Sequence, residues 1–132
     1  MDAARAGLEG LRVREADAGM MASFADALPA DVLLLCGIFG NVSAADIRRT
    51  VDAAPALCAD GATVIWTRHR RPPDITGQVR EWFGANGFEE VAFEALQTDA
   101  RIGVGVHRLA NRSSRATDYP EQPLFTFGSN RA

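Results

Sequence analysis

The chain has 132 residues, 47% of them apolar, enough for one compact core and too few for two. A formal net charge of −3 leaves no basic excess of the kind that marks a nucleic-acid or anionic-lipid surface, so small molecules and proteins are the expected partners. No apolar run approaches the roughly 20 residues that span a bilayer, and no charged segment leads into an apolar stretch and a cleavage site, so a cytoplasmic protein with no membrane partner is expected.

The first predicted strand, Leu11 to Glu15, is short and half polar, and Asp17-Ala18-Gly19 breaks it. Met20 to Leu28 can form a short helix before Pro29. Val32 to Cys36 is a continuous apolar run, the pattern of a parallel strand covered on both faces. Ser43 with Asp46 three residues later resembles a capping box and opens a helix with Ile47, Val51 and Ala54 on one face, which Pro55 should bend or end. Gly61 then turns the chain into a β-branched strand, Ala62 to Thr67.

After the loop Arg68-His69-Arg70-Arg71-Pro72-Pro73, a helix is predicted from Ile75 to Ala85, with Val79, Trp82 and Phe83 on its buried stripe and Asn86-Gly87 as its stop. Phe88 to Leu96 and Ile102 to Leu109 follow as strands whose short polar connection predicts an antiparallel pair. Beyond Ala110 the chain is polar, except for Leu124-Phe125-Thr126-Phe127, which is apolar enough to dock. The expected organisation is a domain over residues 1–110 and a partly docked tail over 111–132. The alternation of strands and helices predicts an α/β layer sandwich with a mostly parallel sheet.

Order and strand-end residues together resemble class I S-adenosylmethionine (SAM)-dependent methyltransferases from the third strand of that fold onward, over roughly Met1 to Leu109. Glu15-Ala16-Asp17-Ala18 resembles the stretch in which an acidic side chain accepts a hydrogen bond from the adenine amino group, which makes Asp17, beside Ala18, either that ligand or an ordinary strand-end acid. Asp31 to Val42 resembles the fourth strand and the loop beside the methionine part of the cofactor, so the resemblance implies that Cys36, Gly37, Ile38, Phe39 and Asn41 line the site. Asn41 is equally readable as a turn residue. Leu57 to Thr67 resembles the fifth strand, and the last two strands resemble the antiparallel insertion that separates this family from plain dinucleotide-binding folds. The implied fold is a three-layer Rossmann-like methyltransferase sheet, mostly parallel with a C-terminal antiparallel pair and truncated at its N-terminus.

The family's glycine-rich loop and the acid that holds the cofactor ribose should precede Met1, so a SAM half-site is expected, with weak or no binding by the chain alone. Gly37-Ile38-Phe39-Gly40 has the wrong spacing to replace that loop, and Gly103-Val104-Gly105 falls inside a predicted strand, where packing glycines are the commoner reading. A nicotinamide enzyme would need Gly-x-Gly-x-x-Gly after a strand, and the chain has none. The Asp- or Asn-Pro-Pro-aromatic signature of base and amide methylation is replaced by Cys36-Gly-Ile-Phe-Gly-Asn41, which argues against those substrates and leaves a small-molecule acceptor. The alternative is a non-catalytic methyltransferase-like binding or structural protein.

His69 is the candidate proton acceptor, since imidazole titrates nearest neutrality; its bland reading is a surface histidine. The Arg68 to Arg71 run is either an anion-binding lid or a solvated loop. His107, Trp66 and Trp82 read as structural, and two distant histidines apart from both cysteines predict no metal site. Cys36 and Cys58 read as reduced, buried thiols. All 14 basic residues are arginine, a codon-level hint of a GC-rich bacterial genome. In the family the strand order is third, second, first, fourth, fifth, seventh, sixth, so loss of the first two strands would bare one edge of Val32 to Cys36, for a homodimer or the Leu11 segment to cover.

Overall fold

A computed structural model describes Asp26 and residues 28–98, 101–110 and 123–126. The predicted Leu11 strand, all but the last residues of the Met20 helix and most of the tail lie outside the described residues. The elements are β1 (Ala30–Leu35), α1 (Ala44–Leu57), β2 (Cys58–His69), α2 (Thr76–Ala85), β3 (Phe88–Ala95) and β4 (Ile102–Leu109).

The expected mostly parallel, three-layer Rossmann-like sheet is not what forms. The four strands are ordered β1-β2-β4-β3, and of the three pairings only β1 with β2 is parallel. The reason lies in the connections. A parallel neighbour needs a crossover, and α1 is the only helix that joins two strands adjacent in the sheet. The crossover through α2 leads to β3, but β4 returns through a short turn and takes the place beside β2. Composition selects that arrangement. Burial alternates along β4, as a central strand requires, whereas β3 carries Glu89, Glu90 and Glu94, all exposed, and charge is tolerated at an edge.

Both helices pack on one face of the sheet, and their buried residues join a single core: Ile47, Val51, Ala54 and Leu57 from α1, Val79 and Phe83 from α2, and Ala62, Val64 and Trp66 from β2. Two layers are therefore present among the described residues. Of the Val32 to Cys36 run, Val32 to Leu35 lies in β1, at the edge of the described strands with one face covered, and Cys36 begins the turn. Leu35 is buried, while Val32 and Leu34 are 56% and 60% exposed. Cys36 is exposed too, against expectation; Cys58 is buried, and neither forms a disulfide. No helix among the described residues is long and apolar enough to cross a membrane.

Local chemistry explains the boundaries. Ser43 is extended and its hydroxyl accepts the Asp46 amide hydrogen at 3.1 Å, which starts α1 as expected. The helix runs two residues past Pro55, because a proline this near the C-terminal end removes only one hydrogen bond and its ring is buried. β2 then starts at once, and Gly61, at φ +77°, sits inside it where the pairing with β1 slips between Ala30 and Val32.

The tail docks through one carboxylate. Asp46 Oδ2 accepts the Thr126 amide at 2.9 Å, its Oδ1 accepts from Arg49 at 3.0 Å, and Thr50 Oγ1 lies 3.1 Å from the Leu124 carbonyl, with Leu124 and Phe125 buried. Asp46→Ala removes the charged acceptor of the part-buried Thr126 hydrogen bond and should cost about 1 to 3 kcal/mol. Hydrogen exchange at Thr126 should accelerate and the denaturation midpoint should fall. A Thr126 amide that exchanges at the wild-type rate would show that Asp46 does not hold the tail.

Candidate functional site

Ligands in open α/β sheets sit beyond the carboxyl ends of parallel strands. Here that position follows β1 and β2, and it holds a cavity of about 180 Å³ lined by Gly37, Gly40, Asn41, Thr67, Arg68, His69, Arg71 and Ile102. The loop after β1 is fixed by polar contacts. Gly37 adopts φ +75°, a left-handed conformation that glycine accepts without strain, and its N–H donates to Thr67 Oγ1 at 3.1 Å. Asn41 folds back, with Nδ2 donating to the Gly37 carbonyl at 2.8 Å and its backbone N–H to the Ile38 carbonyl at 2.9 Å.

The residues that the resemblance assigns to the cofactor are therefore only partly together. Asp17 and Ala18 lie outside the described residues. Gly37 and Asn41 line the cavity, Cys36 is exposed at its approach, and Ile38 turns half-buried towards the core. The Phe39 ring is fully buried against Trp66, with centroids 6.0 Å apart, so that only its carbonyl serves the loop, accepting from Arg68 Nε at 3.2 Å.

The far wall comes from the end of β2. Arg68 gives Nε to Phe39 O and Nη1 to the His69 carbonyl at 3.3 Å, and burial pushes its pKa below the ordinary arginine value, partly offset by Asp74. His69 packs against Gly40: a Cβ there would lie 3.3 Å from the imidazole Cδ2. Its Nδ1 is buried without a hydrogen-bond partner. Desolvation, then Arg68 and Arg71, lower the His69 pKa, and Asp74 opposes them, so the ring is neutral at pH 7.

Asp74 is the carboxylate that faces this cluster, and Thr76 occupies it. Its Oδ1 accepts from the Thr76 N–H at 3.0 Å and the Thr76 hydroxyl at 2.7 Å, capping α2 from one residue ahead of Ile75. Desolvation raises its pKa, but those hydrogen bonds and Arg70 and Arg68 outweigh it, and the net shift is downward. Next door, Arg70, Gln97, Thr98 and Arg101 border a larger hollow of about 470 Å³.

No protein-family model matches this chain, and no curated protein sequence matches it either. The site therefore rests on its own geometry: a rigid glycine-containing loop facing a partly desolvated basic cluster. Thr67 and Asp74 belong to it although no motif marks them. The available signals are a hydroxyl residue at the carboxyl end of a strand and an Asp two residues before the Thr that opens a helix. Among the described residues no three His, Cys, Asp or Glu side chains gather as metal ligands.

Proposed function

We propose that the chain carries the C-terminal half of a SAM-dependent methyltransferase site acting on a small-molecule acceptor. The observation that supports this reading is strand order. β1 and β2 are parallel, and the last strand, β4, enters antiparallel between β2 and β3. The resemblance names the same relative order, fourth, fifth, seventh, sixth, although the sheet is not the mostly parallel one expected of that fold.

The loop fits the cofactor part assigned to it. Space over Gly37 is open, with no atom within 4 Å of a Cβ built there, and the turn is held from behind by Thr67 and Asn41. When bound, SAM supplies an electrophilic methyl group on a sulfonium. This chain's part is to bind and align. Cys36 to Asn41 would line the methionine portion, and Asp17 would accept from the adenine amino group. His69, kept neutral by burial and its arginine neighbours, is able to take a proton from the acceptor. Two cysteines outside any disulfide, one of them exposed, favour a reducing cytoplasmic setting. The edge of β1 is where a second copy would add a strand.

Titration of the ¹⁵N-labelled chain with SAM tests the reading. Amide shifts should be confined to Asp17, Ala18 and Cys36 through Asn41, with a dissociation constant weaker than about 10 μM, or roughly −7 kcal/mol. A spectrum unchanged at about 10 mM SAM, roughly −2.7 kcal/mol, would instead favour a non-catalytic binding or structural protein.

A further inference from the structure

The cavity beside His69 is small, walled by cations and short of anions. Arg68, Arg70 and Arg71 leave the end of β2 within four residues, in a chain whose formal net charge is −3. Neither Arg68 nor Arg71 has a carboxylate within salt-bridge distance among the described residues, where the ion pairs are Arg49 with Asp46 and Arg80 with Glu90. The acid that reaches the cluster electrostatically, Asp74, has one oxygen committed to two Thr76 donors.

Arg68 does not behave as a solvated loop arginine. Two backbone carbonyls, at 3.2 and 3.3 Å, hold its guanidinium against the cavity, so it is fixed in place before any ligand arrives. A guanidinium held only by neutral acceptors in a partly desolvated place retains most of its attraction for a planar or tetrahedral oxyanion. Arg71 is exposed and lines the same cavity, so it is available to offer a second guanidinium to a ligand there.

The hollow suits a small group. About 180 Å³ accommodates one oxyanion group and a few attached atoms, whereas a drug-sized ligand needs about 300 Å³ or more. We propose that this cavity is a binding site for a small oxyanion, a carboxylate or phosphate, held between the Arg68 and Arg71 guanidinium groups with Asn41 and Thr67 at its floor. In the methyltransferase reading, on which this last step rests, the oxyanion is part of the methyl acceptor. It places the acceptor beside His69 and the loop after β1.

Two-dimensional NMR of the 132-residue chain, titrated with inorganic phosphate and separately with acetate, is the test. Ionic strength is held near 0.15 M with sodium chloride, where the Debye length is about 8 Å and diffuse attraction is screened. Saturable shifts at Gly37, Asn41 and Thr67 through Arg71 are expected with at least one anion, and the stronger of the two identifies the oxyanion class. Arg71→Ala should weaken that binding at least about tenfold, as loss of one charge-assisted contact implies. Arg101→Ala, in the neighbouring hollow, should leave it unchanged. The site is refuted if neither anion gives saturable shifts, if Arg71→Ala binds like wild type, or if Arg101→Ala weakens binding as much as Arg71→Ala. Arg71 is exposed, so its replacement does not threaten folding. Because no SAM is present, anion binding together with a blank SAM titration would sink the methyltransferase reading and leave this site standing. SAM shifts with no anion binding would do the reverse.

Discussion

Gly105→Ala is expected to destabilise the protein by about 3 kcal/mol, the upper range for overpacking a tight core. Gly105 is the direct cross-strand partner of Trp66, and a Cβ at Gly105 would overlap the indole at Cε2 and Nε1. Relaxation is blocked on every side. Gly105 also pairs with Phe93 on β3, so moving its backbone disturbs both ladders of a central strand. The indole cannot retreat either. It is fully buried between Phe39, Phe83, Phe93 and His107, with ring centroids 6.0 to 6.3 Å away. Urea midpoints measure the loss. Gly84→Ala in α2 is the control: nothing lies within 4 Å of its Cβ, and replacing a helical glycine should stabilise by about 0.5 to 1 kcal/mol. Trp66→Phe combined with Gly105→Ala should lose less than the two single changes added, since the overlapping atoms are gone. Strict additivity of the pair would mean that the indole is not what excludes a side chain at Gly105.

How far such features were readable in the sequence depends on distance along the chain. β4 runs from Ile102 to Leu109 as expected, and α2 ends at Ala85 because Asn86-Gly87 stops it, with Gly87 at φ +86°. These signals are local. Sheet polarity is not local: by itself a β-α-β-α-β-β order reads the same whether the last strand joins the edge or enters beside β2, and entry is suggested by the resemblance's strand order and by the three exposed glutamates of β3. The apolar run Val32 to Leu35 misleads for a related reason, since an apolar strand announces burial without saying which face is covered. In the candidate site, the Arg68 to Arg71 run is visible as charge. What separates a fixed guanidinium from a solvated one is the Phe39 carbonyl, 29 residues away, and no spacing rule reports that contact.

His107 makes the same point through its protonation. From sequence it is a histidine in a strand. In the fold it is 1% exposed, stacked on Phe83 at 4.5 Å and lying parallel to Trp66, with Nε2 buried and lacking a hydrogen-bond partner. Desolvation pushes its pKa down to about 4, with Glu90 pulling upward and Arg80 adding to the fall. In the unfolded chain the imidazole returns to about 6.5, so between these values the unfolded state binds a proton that the folded state refuses. Stability therefore rises with pH across the window from about 4 to about 6.5 and is lost as pH falls through it. The slope is at most about 1.4 kcal/mol per pH unit. Glu90, lowered by its hydrogen bonds to Arg80, and Asp74 are depressed carboxylates whose contribution declines only below the ordinary carboxylate range, so measurements between pH 7 and 5 largely avoid them. His69 titrates in the same direction as His107, which makes a difference measurement necessary. Over that interval wild type should lose about 2 kcal/mol more stability than His107→Phe, which keeps a stacking ring and carries no proton. If both proteins lose stability in parallel, His107 accepts its proton within the fold, with Glu90 the carboxylate among the described residues placed to receive the charge.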